Sequence, residues 1–218
     1  MHCSPEWNDL VQSSSGDVRR LASVWRFSSI PIAVDENTAE HSYWVALYAA
    51  MIHRTAAPDG LFQGILGPIL LKALVHDLAE CVTGDVVRVF KYSTPELKQE
   101  VDRAENILMK KLPNLVQDLV GEAEQPQGND KAYISAVVKC ADFLSLFQFM
   151  RREAMRGNSE IAPFYGRMIT DLETMASDER ELVVGKDLKF RPSELYTAMF
   201  TEARAIYRFK WNIGSNNG

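Results

Sequence analysis

Residues 131–156 carry apolar side chains at helical spacing, and the most hydrophobic part of that stretch, VVKCADFLSLF, holds a single carboxylate, Asp142. A helix of this length and pattern belongs in the core of a helical protein. An isolated carboxylate there would be costly and would tend to take up a proton, whereas ligation to a metal removes the problem. A second apolar segment, LLKALVHDLAE, poses the same question with His76 and Asp77. Neighbours on a helix point about 100° apart, so both side chains converge only on something lying between them, such as a metal ion. A hydrogen-bonded His–Asp pair at a helix end is the alternative.

The remaining signals are also helical. Residues 17–25 place Val18, Leu21, Ala22 and Trp25 on one face, and SSIPIAVDEN then breaks the pattern. Asn37-Thr38-Ala39-Glu40 has capping-box chemistry and predicts a helix to about Arg54. Ala57-Pro58-Asp59-Gly60 reads as a turn. Gly67-Pro68 is expected to open the helix through LLKALVHDLAE, ended by Thr83-Gly84-Asp85. Ser93-Thr94-Pro95-Glu96 starts a charged helix to about Lys111, residues 121–130 read as a polar loop, and Arg191-Pro192-Ser193 introduces a last helix to about Phe209. No strand alternation, repeat or linker is visible. The expectation is all-α: one compact helical bundle over residues 1–218, with a core at about 17–176, a helical extension at about 177–210 and a loose tail at 211–218.

Composition narrows the function. Hydrophobic residues make up 46% and charged residues 24% of the 218, with a net charge of -5. That balance argues against polymeric nucleic acid as a partner but leaves room for a small anionic substrate beside local cations and a metal. Cys3, Cys81 and Cys140 are widely spaced and odd in number, reading as reduced thiols. The opening MHCSPEWNDLVQSSSGD has no basic start and no apolar stretch, and the apolar run near residues 64–75 is short and contains Pro68 and Lys72. A cytoplasmic protein without a membrane partner is expected.

His41 follows the capping box directly, so His41, His76-Asp77 and Asp142 supply two imidazoles and two carboxylates from three helices. Such a mixed nitrogen and oxygen set suits Mn, Co, Fe, Ni or Zn. The order H…HD…D resembles the signature of HD-domain phosphohydrolases. The likeness to the YfbR-type 5'-deoxynucleotidases is closer and runs from about Val24 to Asn158. It is carried by ENTAEHS, by HDLAECVTGD from His76 to Asp85, by Lys91-Tyr92 and by Lys139-Cys140-Ala141-Asp142.

That resemblance implies an HD-domain helical bundle, His41, His76, Asp77 and Asp142 as ligands of a divalent metal (Co, Mn, Zn or Fe, with Mg for phosphates), and Glu80 and Asp85 as the acid/base pair. Spacing agrees for Glu80, which falls three and four residues after the His-Asp pair. Arg26, fifteen residues before His41, matches a substrate-contacting arginine. Phe27 stands where the bacterial enzymes typically have tryptophan, keeping an aromatic surface but losing the indole N–H. Lys91 matches a phosphate contact, Arg88 is a second candidate cation, and Glu153 is expected to anchor local structure.

The implied reaction removes phosphate from the 5' position of a deoxynucleoside mono- or triphosphate, the latter as in similar phage enzymes acting on dATP. Relatives of this kind are commonly homodimers or higher oligomers, and Leu195, Met199, Ile206 and Tyr207 would line an interface or pack on the core. Oxidative di-metal chemistry and a non-catalytic regulatory module are the competing readings. His53 is expected to be a helix-end or core histidine.

Overall fold

The computed structural model describes residues 18–57, 63–86, 88–91, 93–184 and 188–211. A 3-10 helix over Val18–Ser23 leads to α1 (Thr38–Ala56) and α2 (Gln63–Val75), then to the single turns α3 (Glu80–Thr83) and α4 (Arg88–Lys91). There follow α5 (Pro95–Met109), α6 (Asn114–Glu124), the long α7 (Gly128–Met155) and α8 (Ala162–Ala176). Strands β1 (Leu182–Val184) and β2 (Leu188–Phe190) and the last helix α9 (Pro192–Trp211) complete the order.

The predicted helix starts form for the reasons read from their sequences. Asn37 caps α1 by accepting from the Glu40 N–H at 3.0 Å, while the Glu40 carboxylate accepts from the Asn37 N–H at 3.3 Å. Thr94 caps α5 through the Leu97 N–H, with Pro95 in the first turn.

The centre of the fold is α7, buried on most of its circumference. By length and composition it is apolar enough to cross a membrane, yet 61% of its most apolar window is buried within the protein. It packs against α1, α2 and α9, and α9 in turn packs on α8. One apolar core joins them, including Val45, Ala49, Ile69, Ala73, Val137, Ala141, Leu172 and Ala203. Met199 and Ile206 are buried in it, and Leu195 and Tyr207 pack against it, so this face of α9 is core. His53 is a core histidine, its Nδ1 2.9 Å from the Tyr133 hydroxyl. A second, smaller core of Leu21, Leu78, Cys81 and Leu112 fastens α3 to the 3-10 helix and to the end of α5.

Four local expectations are corrected. Residues 18–23 form a 3-10 helix. The second helix starts at Gln63, upstream of Pro68, so the proline sits inside it and the Gly64 carbonyl forgoes its usual partner. Of the expected loop, residues 121–124 end α6, whose Val116, Val120 and Ala123 form an apolar stripe beneath polar neighbours, and residues 128–130 begin α7, which leaves 125–127 as the connection. A two-stranded antiparallel sheet is present, pairing Leu182 with Phe190 and Val184 with Leu188. Its three-residue strands are too short for an alternation signal; Val184, Leu188 and Phe190 face the core, with Phe190 edge-on to Tyr133. Residues 58–60 of the expected turn and 212–218 of the tail lie outside the described residues, as does Cys3.

Glu153 anchors local structure, as its position implied. Fully buried on α7, it accepts from the Ala33 N–H at 2.6 Å and the Asn158 amide at 2.8 Å, with the Arg156 guanidinium at 3.4 Å. It thereby ties the segment before α1 to the end of α7. Glu153→Ala is expected to destabilise the protein by about 1–3 kcal/mol by stranding these donors. A lowered urea midpoint with an unchanged slope would register this.

Candidate metal centre

His41 lies in the first turn of α1, placed there by the Asn37 capping box, and is fully buried. Its Nδ1 is 3.1 Å from the Ser145 hydroxyl of α7. With that nitrogen donating to Ser145, Nε2 presents its lone pair on the other side of the ring. Asp142 stands one turn before Ser145 on the same face of α7, and its Oδ1 is 3.1 Å from His41 Nε2. Its side chain is 43% exposed, so it opens from the core helix onto the site rather than being sealed inside.

The His-Asp pair is not on a continuous helix, as its sequence had suggested. His76 Nδ1 donates to the Ala73 carbonyl at 2.7 Å, occupying the acceptor that the Asp77 N–H would use to extend α2. The chain tightens into 3-10 turns instead, with Leu78 N–H to Val75, Glu80 N–H to Asp77 and Cys81 N–H to Leu78. Burial of Leu78 and Cys81 holds this turn in place. The same side-chain bond aims His76 Nε2 into the site, 3.1 Å from Asp77 Oδ2, which is also 3.5 Å from His41 Nε2.

One ligand atom each from His41, His76 and Asp77 lie within 4.8 Å of one another, and Asp142 adjoins them through its approach to His41. Both Nε2 atoms are buried, and neither has a hydrogen-bond partner among the described residues despite the nearby carboxylates. Separations of 3.1–3.5 Å without hydrogen-bond geometry match donors arranged around one ion bound at about 2.0–2.2 Å. Two imidazoles and two carboxylates are therefore suited to a divalent transition metal.

Electrostatics agree. Burial opposes a charge on His76, but the adjoining Asp77 carboxylate outweighs it and pushes the imidazole up to about 9. Burial likewise works against the Asp77 charge, and the two imidazoles overcome it to hold the carboxyl well below its usual range. Burial lowers His41. Carboxylates buried against imidazoles make a site that a cation would suit, with both rings neutral as ligands.

Glu80 and Asp85 flank this group. Burial, then repulsion from Asp77, pushes Glu80 up to about 8, and its Oε2 accepts from the buried Thr38 hydroxyl at 2.8 Å. Burial also raises Asp85, against the pull of Arg26, and its Oδ2 accepts from the Phe27 N–H at 3.2 Å. That bond comes from a strap laid along the entry to α1. Arg26 N–H bonds to the Glu36 carbonyl, Thr38 N–H bonds to the Val24 carbonyl, and Trp25 bridges Asn37.

Phe27 adopts φ 60, a left-handed conformation rarely held by an aromatic residue. Its ring stacks on Phe149 at 4.5 Å, and the Arg26 guanidinium lies over it at 4.9 Å. Arg26 also pairs with the buried Glu36 at 2.9 Å.

The structure therefore gathers His41, His76, Asp77, Asp142, Glu80, Asp85, Arg26 and Phe27. Lys91 is engaged elsewhere, 2.7 Å from Glu105 and 3.6 Å from Asp102 on α5. The Arg88 side chain lies outside the described residues. Sequence reasoning missed Ser145, Glu36 and Thr38. Ser145 and Thr38 were within reach of it, since each sits three residues from a candidate ligand on the same helix. Glu36 carried no such signal, because its pairing depends on how the strap folds back.

Comparison with known proteins follows the same line. A family model described as 5'-deoxynucleotidase YfbR-like matches residues 16–186. A 5'-deoxynucleotidase of Pasteurella multocida is 32% identical over 167 residues, covering 73% of this chain and 84% of that protein. The 5'-deoxynucleotidase YfbR of Shigella boydii is 29% identical over 167 residues, covering 74% and 83%. Among solved structures, the cyanophage S-2L HD phosphohydrolase DatZ, bound to dA and one catalytic Zn2+ ion, aligns with a TM-score of 0.55 at 19% identity, covering 96% of this chain and 99% of its own. An HD-domain phosphohydrolase from Listeria innocua aligns with a TM-score of 0.54 at 19% identity, covering 94% and 82%.

Chelator-treated protein is expected to gain thermal stability on addition of Zn2+, Mn2+ or Co2+, because an ion bound only by the folded state shifts the unfolding equilibrium. His76→Ala should lose most of that gain in a thermal melt.

Proposed function

Because the chain belongs to the YfbR-like 5'-deoxynucleotidase family, we propose that it hydrolyses the 5' phosphate ester of deoxynucleoside monophosphates, using one divalent transition metal held by His41, His76, Asp77 and Asp142. The observation that carries this reading is the pair of buried, unpartnered imidazole nitrogens, His41 Nε2 and His76 Nε2, set among carboxylates. A metal held there would supply Lewis-acid chemistry, polarising a phosphoryl oxygen and lowering the pKa of a nearby water.

The chain's own residues handle protons and position. Glu80 and Asp85 each have one oxygen engaged by the scaffold, through Thr38 and the Phe27 N–H, which leaves the other oxygen for the reaction. One carboxyl takes the proton from the attacking water, and the other delivers a proton to the departing 5' oxygen. Arg26, braced by Glu36 and stacked on Phe27, presents its remaining guanidinium N–H groups to the phosphate or sugar region.

Monophosphates are favoured over triphosphates on two grounds. The relatives similar over most of their length are named 5'-deoxynucleotidases. Lys91, the clearest extra cation for a longer phosphate chain, is paired with Glu105 and Asp102 and would have to leave them. Against a di-metal oxidative reading, the cluster offers two imidazoles and two carboxylates, and the other described histidine, His53, is bonded to Tyr133 in the core.

The test is a panel of dNMPs, dNTPs and ribonucleotides with Zn2+, Mn2+, Co2+ and Mg2+, read by product chromatography. Phosphate release from dNMPs should exceed that from dNTPs and be abolished by His76→Ala or Asp77→Ala. Metal-loaded protein inert toward every deoxynucleotide would overturn the proposal.

A further inference from the structure

Thr38 is the first residue of α1 and is completely buried. A threonine at a helix start normally caps it, but here both capping bonds are made by Asn37 and Glu40, and the Thr38 backbone N–H is taken by the Val24 carbonyl at 2.9 Å. The helix therefore has no use for the Thr38 hydroxyl. That hydroxyl lies 2.8 Å from Glu80 Oε2, with the Val24 carbonyl at a looser 3.4 Å. Its single proton goes to the shorter bond.

Two sets of contacts fix where the hydroxyl stands. Main-chain bonding to Val24 and the Trp25–Asn37 bridge pin Thr38 to the strap, and it stands three residues before His41 in the same turn of α1. Glu80 itself begins a four-residue helix after a 3-10 turn, which is a weak platform for a reacting carboxyl. The bond from Thr38 ties that carboxyl to the helix carrying a metal-ligand candidate.

We propose that Thr38 is a positioning residue: its hydroxyl holds Glu80 Oε2 so that Glu80 Oε1 is the oxygen exchanging a proton with the reaction. This inference rests on the reading of Glu80 as part of the acid/base pair. Thr38 touches neither metal nor substrate, and its effect runs through Glu80 alone.

The experiment compares wild type, Thr38→Val, Thr38→Ser, Glu80→Gln and the Thr38→Val/Glu80→Gln double variant as Mn2+-loaded full-length proteins. Turnover of dAMP, dGMP, dCMP and dTMP is measured beside Mn2+ affinity and melting temperature, and Thr38→Val is crystallised. Thr38→Val should lose about 10–100-fold in kcat with KM and Mn2+ affinity little changed. Thr38→Ser, which restores the hydroxyl, should recover most of that loss. In the Glu80→Gln background Thr38→Val should cost nothing further, and the crystals should show the Glu80 carboxyl moved from its wild-type place.

Several outcomes would overturn the inference: full kcat in Thr38→Val, an equal loss in Thr38→Ser, an additive loss in the double variant, or an unmoved Glu80 carboxyl. Full activity in Glu80→Gln would instead remove the acid/base reading on which the inference stands. If Thr38→Val melts too early to assay, Thr38→Ala replaces it: lost turnover in Thr38→Ala with turnover kept in Thr38→Ser sustains the inference, and full turnover in Thr38→Ala or lost turnover in Thr38→Ser refutes it.

Discussion

His41 Nε2 and His76 Nε2 are buried, face carboxylates and have no hydrogen-bond partner among the described residues, and much of the surrounding structure serves to keep them so. Unpartnered polar atoms inside a protein cost free energy, about 1–3 kcal/mol each, unless something else occupies their lone pairs. Both rings have the opposite nitrogen committed, His41 to the Ser145 hydroxyl and His76 to the Ala73 carbonyl, so their orientation is set by the protein. Preorganisation of this kind raises affinity for a metal, because the ligands need no rearrangement to receive it.

Three elements converge to build the group, and each is held there by a different force. The capping box fixes the start of α1, apolar burial fixes α7, and a competing side-chain bond ends α2 where His76 needs it to end. The small core of Leu21, Leu78, Cys81 and Leu112 then holds the turn carrying Glu80 against the strap carrying Arg26 and Phe27. Phe27 in a left-handed conformation stores backbone strain of about 1–3 kcal/mol, offset by its stacking on Phe149 and its N–H bond to Asp85. Strain retained beside a proposed acid/base residue is consistent with selection for position over stability.

His76, Asp77 and Asp142 stood out in the sequence as polar residues within apolar helical segments, as with Asp142 in VVKCADFLSLF, and the resemblance of H…HD…D to a known family grouped them with His41 as candidate ligands. Capping chemistry is equally local, so the starts of α1 and α5 were readable. The break after Val75 was not, since a histidine side chain taking a helix carbonyl leaves no mark in the pattern. Nor was the pairing of β1 with β2, whose strands are three residues long. The pairing of Lys91 with Glu105 and Asp102 is a matter of tertiary packing, which a motif match cannot foresee. The Arg26–Glu36 pair arises in the same way, from a strap folded back on itself.

The central claim is that one transition-metal ion sits among His41, His76, Asp77 and Asp142. Diffraction data collected at the absorption edge of the added metal, from crystals of the loaded protein, test it most directly. The account predicts one anomalous peak per chain, within about 2.0–2.2 Å of His41 Nε2, His76 Nε2 and oxygens of both aspartates. A peak elsewhere, or none at this cluster in fully loaded protein, would contradict it.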